Sequence, residues 1–105
     1  MHFTSYLQEG QLTVALTGEI DHHSAKSYFD AIASKIDVYN PRECVLDFQE
    51  VAFMDSSGIA VVIHALRCMS RIDGKLIISN LNQQPMRVLL ASGIERLVEI
   101  KEVVL

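Results

Sequence analysis

Residues 44–72 read CVLDFQEVAFMDSSGIAVVIHALRCMSRI, and their order decides the fold. Cys44-Val45-Leu46-Asp47-Phe48 is an apolar run of strand length. A short link through Gln49 to Met54 leads to Asp55-Ser56-Ser57-Gly58, after which apolar residues recur at helical spacing as far as Ile72. Length separates the two kinds of run, because buried strands are short and helices need ten residues or more. A buried strand that feeds a long helix is the first half of a βαβ unit, since parallel strands can be joined only by a crossover. Asp73-Gly74 closes the helix, and Lys75 to Ser79, with Leu-Ile-Ile at its centre, supplies the second strand.

The same alternation extends in both directions. Upstream, Asn40-Pro41 ends a helical segment from Ala25 to Val38, in which Ala25, Tyr28/Phe29, Ile32 and Ile36 share one face and which Asp21 or Ser24 could cap. Before it, Leu12 to Thr17 alternates as a strand. Phe3 to Gln8 is a weaker strand, and Glu9-Gly10 between the two marks a hairpin. Downstream, Gln84 to Ala91 reads as a third helix stopped by Ser92-Gly93, and Val98 to Ile100 as a last short strand. The expectation is one α/β domain over residues 1–105: a mixed, mostly parallel sheet with an N-terminal hairpin and crossover helices.

With 105 residues, half of them hydrophobic and 21% charged, the chain can bury a core without staples or metals. A net charge of -4 offers no field to hold a nucleic-acid backbone, so direct nucleic-acid binding is not expected. No apolar run is long enough to span a bilayer, and Met1-His2-Phe3-Thr4-Ser5 lacks the basic and apolar regions of a signal peptide. Cys44 and Cys68 lie in apolar segments and read as two buried thiols of a cytoplasmic protein rather than a disulfide. Nothing in the sequence demands more than a monomer.

Catalytic signatures are missing. There is no Walker-type glycine loop, no Gly-x-Gly-x-x-Gly, no His-Glu-x-x-His and no Cys-x-x-Cys. His22-His23 is a poor metal site because adjacent side chains diverge, so neither a metal nor a cofactor is expected. The informative segment is Asp55-Ser56-Ser57-Gly58, at the strand-to-helix junction where parallel sheets present functional loops. Ser56 or Ser57 could cap the helix, and Gly58 leaves its first turn open. On that helix, Ile59, Val62, Ile63, Leu66 and Met69 form one apolar arc opposite His64, Arg67 and Arg71, with Val61, Cys68 and Ile72 on its flank. A neighbouring helix could cover that flank. Left uncovered, it would extend the serine surface.

Phe53-Met54-Asp55-Ser56-Ser57-Gly58-Ile59 resembles the signature of the bacterial anti-sigma factor antagonists, the founding members of the STAS domain family. Thr17-Gly18-Glu19-Ile20-Asp21-His22-His23-Ser24-Ala25 resembles the family's second motif, and its His-His-Ser-Ala continuation is closest to the sporulation stage II branch. Val45-Leu46-Asp47-Phe48 stands where the family has the strand before the serine loop. The resemblance implies a non-catalytic regulator of transcription by partner switching. It implies that the unmodified antagonist binds an anti-sigma factor that is also a serine kinase, and that phosphorylation separates the two. A phosphatase of the PP2C type then resets the cycle. Carried onto this chain, the phosphoacceptor is Ser56, and the partner-binding set is Asp21, Asp55, Ser56, Ser57, Gly58 and Val61, with Ser57 as the capping neighbour. The same family includes scaffold and small-ligand sensor modules of stress-signalling complexes, which are the alternative expectation; nucleotide hydrolysis at the Asp55–Ser56 edge is a third. Family members commonly carry a further C-terminal helix, which the stretch after Ile100-Lys101-Glu102-Val103-Val104 leaves absent or very short.

Overall fold

The computed structural model describes residues 2–101. Its five-stranded sheet runs in sequence order, from β1 (His2–Gln8) through β2 (Gln11–Thr17), β3 (Glu43–Glu50) and β4 (Lys75–Ser79) to β5 (Glu99–Lys101). Only β1 and β2 are antiparallel; every later pair is parallel. The crossovers are α1 (His22–Tyr39), α2 (Ser56–Ser70) and α3 (Gln83–Ser92), the last followed by a short 3-10 turn at Ile94–Arg96. Each crossover moves one strand further in the same direction, so with the usual right-handed sense the helices share one face of the sheet. The expected elements all form; the 3-10 turn was not anticipated. The segment in which the family's C-terminal helix was expected to be missing lies largely at residues 102–105, outside the described residues.

The strand periodicity shows how the core is built. Leu12, Val14 and Leu16 of β2, Cys44, Leu46 and Phe48 of β3, and Leu76 and Ile78 of β4 point to the helical side and are buried. Tyr28 of α1 is also fully buried, and its hydroxyl donates to the Thr17 carbonyl at 2.6 Å, so the one polar atom of that ring is satisfied. The hairpin turn holds both Glu9 and Gly10 at positive φ, 52° and 82°, the pairing that suits the twist of the flanking strands. Arg42 fastens it: its Nη2 donates to the Glu9 carbonyl at 3.0 Å and its backbone N–H to the Gly10 carbonyl at 2.8 Å.

The face of α2 is rotated from the expected arc. Gly58, Val61, Val62, Ala65, Cys68 and Met69 are its buried residues, whereas Ile59, Ile63 and Leu66 are only partly buried. Both flanks of this helix are apolar, so periodicity locates the polar side but not the centre of the packed one. The small residues Gly58 and Ala65 lie on the packed face, letting the helix sit close to what it covers. Residues of α1 cover the Val61 flank, with the Phe29 and His64 rings 4.9 Å apart. Val61 and Cys68 of that flank are therefore covered, and Ile72 is half-buried. Cys44 and Cys68 are free, buried thiols, and burial, with the nearby Cys68, pushes the Cys44 thiol up to about 12.

Candidate functional site

In a parallel sheet the strand C-termini and the helix N-termini fall on one edge. Here that edge gathers three loops: residues 18–21 before α1, 51–55 before α2 and 80–82 before α3. An isolated parallel bridge between Ile20 and Met54 ties the first two together. The Ile20 N–H donates to the Phe53 carbonyl at 3.2 Å and the Asp55 N–H to the Ile20 carbonyl at 3.1 Å. The two residues that follow the bridge, Asp21 and Asp55, are the N-caps of α1 and α2.

Each cap follows from its sequence. Asp21 Oδ1 accepts from the N–H groups of His23 at 2.9 Å and Ser24 at 3.0 Å, while Ser24 Oγ accepts from the Asp21 N–H at 3.0 Å. This is a reciprocal capping box with serine in the returning position. The Ser24 N–H, ahead of the His23 N–H, holds the Asp21 carboxyl below its ordinary range, against an opposing contribution from burial. At α2, Asp55 Oδ1 accepts from the Ser57 N–H at 2.7 Å. The cap is therefore Asp55, and not Ser56 or Ser57 as the sequence had suggested. A carboxylate outcompetes a hydroxyl for an N–H at a helix start, because the bond is charge-assisted and the dipole favours an anion.

With Asp55 capping, Ser56 becomes the first residue of the helix, and its side chain is exposed. Ser57 and Asp55 are partly exposed beside it, and Phe53, on the other side of Met54, is 45% exposed. Gly58 is buried, with Met54 packed so close that a Cβ there would collide with its side chain. The edge thus brings together Asp21, Asp55, Ser56 and Ser57. Val61 must be removed from the partner-contact set: it is fully buried, one turn into α2 on the face turned to the core.

The charge of this edge is one-sided. Residues 17–24, 49–58 and 80–84 contain Glu19, Asp21, Glu50 and Asp55 but no lysine or arginine. His22 and His23 are exposed, their rings 5.7 Å apart and edge-on, and no group of three potential metal ligands assembles among the described residues.

Two residues of the edge escaped the sequence reading. The Gln84 side chain bonds both backbone groups of Met54, and Asn82 Nδ2 reaches the Val51 carbonyl at 2.8 Å and the Gln49 carbonyl at 3.0 Å. Asn82 has the look of a helix cap in sequence, and no local pattern reveals that its amide serves a loop some thirty residues away.

The STAS domain family model matches residues 3–104. An anti-sigma F factor antagonist of Paenibacillus polymyxa is 30% identical over 95 residues, covering 87% of this chain and 78% of its own. An anti-sigma-B factor antagonist of Listeria monocytogenes is 27% identical, with 88% and 80% covered. Among solved structures, the anti-sigma factor antagonist SpoIIAA in its unphosphorylated form has the same fold, with a TM-score of 0.74 at 23% identity over 98% of this chain and 90% of that one.

Proposed function

Because the chain belongs to the STAS domain family, we propose that it is an anti-sigma factor antagonist: a binding module that sequesters an anti-sigma factor and is switched off by phosphorylation of Ser56. The observation that carries this reading is the exposed Ser56 side chain at the first position of α2, beside two aspartate-capped helix starts. The partner is an anti-sigma factor with serine kinase activity, met in the cytoplasm by a monomer of this chain. It transfers the γ-phosphoryl group of ATP to Ser56 Oγ; ADP leaves, and the hydroxyl proton passes to a base of the kinase. A PP2C-type phosphatase hydrolyses the ester and resets the chain. Asp21, Asp55, Ser56 and Ser57 form the docking edge, and Gly58, buried against Met54, supports it from beneath.

Bulk and desolvation supply the sign of the switch. The loops of this edge carry four carboxylates, Glu19, Asp21, Glu50 and Asp55, with Lys101 at the end of β5. Phosphorylation adds about -1.5 to -2 charges. At a helix N-terminus an anion is tolerated, so the fold survives. The docked surface does not, because the bulk of a phosphate and the desolvation of its charge at a close-fitted contact can cost several kcal/mol, equivalent to orders of magnitude in affinity. The test is to incubate the chain with an anti-sigma factor kinase and ATP, and to map the label. Label is expected on Ser56. Ser56→Ala should bind without labelling, and Ser56→Asp should bind more weakly. Label on Ser57 would overturn the residue assignment, and an unlabelled chain that binds no anti-sigma factor would overturn the function.

A further inference from the structure

The link from β3 to α2 is held on one side by side chains from the start of α3. Asn82 Nδ2 lies 2.8 Å from the Val51 carbonyl, 3.0 Å from that of Gln49 and 3.4 Å from that of Phe48. Gln84 Oε1 accepts from the Met54 N–H at 2.9 Å, and Gln84 Nε2 donates to the Met54 carbonyl, also at 2.9 Å. A single amide therefore pairs with residue 54 as a neighbouring strand would, exchanging both backbone bonds. The backbone fixes which way round the amide lies, because an N–H needs an acceptor and a carbonyl needs a donor.

The other side of the same segment is held by Ile20, through the bonds to Phe53 and Asp55. Residues 53–55 thus lie between the start of α1 and the start of α3, and Ser56 follows immediately. Asn82 strengthens the case. It occupies the N-cap place of α3, yet its side chain makes no cap hydrogen bond to its own helix. A residue type that would normally cap α3 is turned instead to the loop that presents the serine.

We propose that Gln84, supported by Asn82, is a positioning residue for Ser56, holding the acceptor loop in the one conformation that a kinase can engage. The inference rests on the phosphoacceptor role proposed for Ser56. It makes α3 a working part of the switch although α3 contributes none of the acceptor motif. A loop released from the clamp would spend only a fraction of its time in the competent conformation. Apparent affinity then falls by that fraction while turnover of the bound complex is preserved. The effect therefore belongs in KM and not in kcat.

The test uses the full chain as wild type, Gln84→Ala, Gln84→Glu and, as a control in the same helix, Ser92→Ala, which removes the bond from Ser92 Oγ to the Leu89 carbonyl. Amide hydrogen exchange on the unmodified proteins reads the clamp itself. Protection of the Met54 amide is expected to fall about tenfold in Gln84→Ala, roughly the loss of one hydrogen bond's net worth, with the core strands unchanged. Gln84→Glu keeps the acceptor but sets an anion against the Met54 carbonyl. Its protection should be low near neutral pH and recover as the carboxyl is protonated in acid, because the neutral acid regains a donor. In the kinase assay, KM for Ser56 labelling should rise about tenfold in Gln84→Ala with kcat retained, and Ser92→Ala should match wild type. Unchanged Met54 protection, or altered protection with an unchanged KM, would overturn the proposal. A wild-type chain that is never labelled would instead sink the proposed function and with it the acceptor role of the loop, whatever the exchange data show of the clamp.

Discussion

Gly58→Ala sets two opposed effects against each other at the mouth of α2. Alanine is the better helix former, by about 1 kcal/mol in a helix interior and less in a first turn. Against that, a Cβ at this position would meet the Sδ of Met54 and lie 2.9 Å from its Cγ and 3.0 Å from its Cβ. The sulfur can swing aside. The Cγ can follow it by rotation about χ1, but the Cβ cannot move without the Met54 backbone, which is bonded to Gln84 on one side and, through its neighbours, to Ile20 on the other. Overpacking of this kind costs about 1–3 kcal/mol, so it wins, and the variant should be less stable by about 1–2 kcal/mol. For a domain near 100 residues each kcal/mol is worth about 4–8 °C, which places the fall in melting temperature at roughly 5–15 °C. Thermal and urea unfolding followed by circular dichroism measure it, with an unchanged urea slope expected if only the native state is strained. Trimming the obstruction with Met54→Ala in the same chain should make the two changes non-additive by about 1 kcal/mol or more, in the direction of relief. A Gly58→Ala protein as stable as wild type or more so would refute the reasoning. It would mean that helix propensity outweighs the contact and that Met54 is not fixed in place.

Tyr28→Phe deletes the bond to the Thr17 carbonyl and leaves that acceptor partly buried; a loss of about 1 kcal/mol is expected from urea unfolding, and no loss would show the hydroxyl to be solvated. Cys44 and Cys68 are buried, and burial pushes the Cys44 thiol up to about 12, so iodoacetamide at pH 8 should label neither residue in the native chain and both in urea; rapid native labelling would contradict this packing. Asp21 has its carboxyl held below the ordinary range by the Ser24 and His23 N–H groups. Its folded value thus lies below its unfolded one, so the stability it contributes is complete above the unfolded value and lost as pH falls through the folded value, below about pH 4. Asp21→Asn retains a good cap but not the charge, and should flatten the acid limb of melting temperature against pH; superimposable limbs would count against the cap.

The order of the elements was legible because three independent signals agreed on it. Leu12, Val14 and Leu16 alternate with Thr13, Ala15 and Thr17, Asn40-Pro41 and Ser92-Gly93 punctuate the helices, and Asp55-Ser56-Ser57-Gly58 separates a strand from a helix. What sequence left open are choices between nearly equivalent local options. Asp55, Ser56 and Ser57 are all good caps, and only the backbone tethered by Ile20 selects Asp55. The arc of α2 was misplaced because apolar residues occupy both flanks, so Val61 could be read as surface when it is core. Asn82 and Gln84 were unreadable for another reason. Their partners are backbone atoms of Gln49, Val51 and Met54, and a backbone acceptor leaves no trace in a sequence.

The choice of Asp55 as cap bears on how a phosphate at Ser56 would behave. Had a serine capped α2, an added phosphate could have replaced it at the helix start and been absorbed by the free N–H groups. With a carboxylate already on the Ser57 N–H, the phosphate shares that helix end with an anion. The macrodipole supplies only about half a positive charge there. The loops around it add Glu19, Asp21 and Glu50 and hold no lysine or arginine; Lys101, at the end of β5, is paired with Glu99 at 3.4 Å. New charge at this position therefore finds no free cation in the adjoining loops and faces outward. A segment that needs a phosphate to become ordered provides the neutralising cation itself. The loops beside Ser56 provide none, and the acceptor loop is already ordered by Ile20, Asn82 and Gln84. The physics favours a switch that changes what can dock while the fold stays as it is.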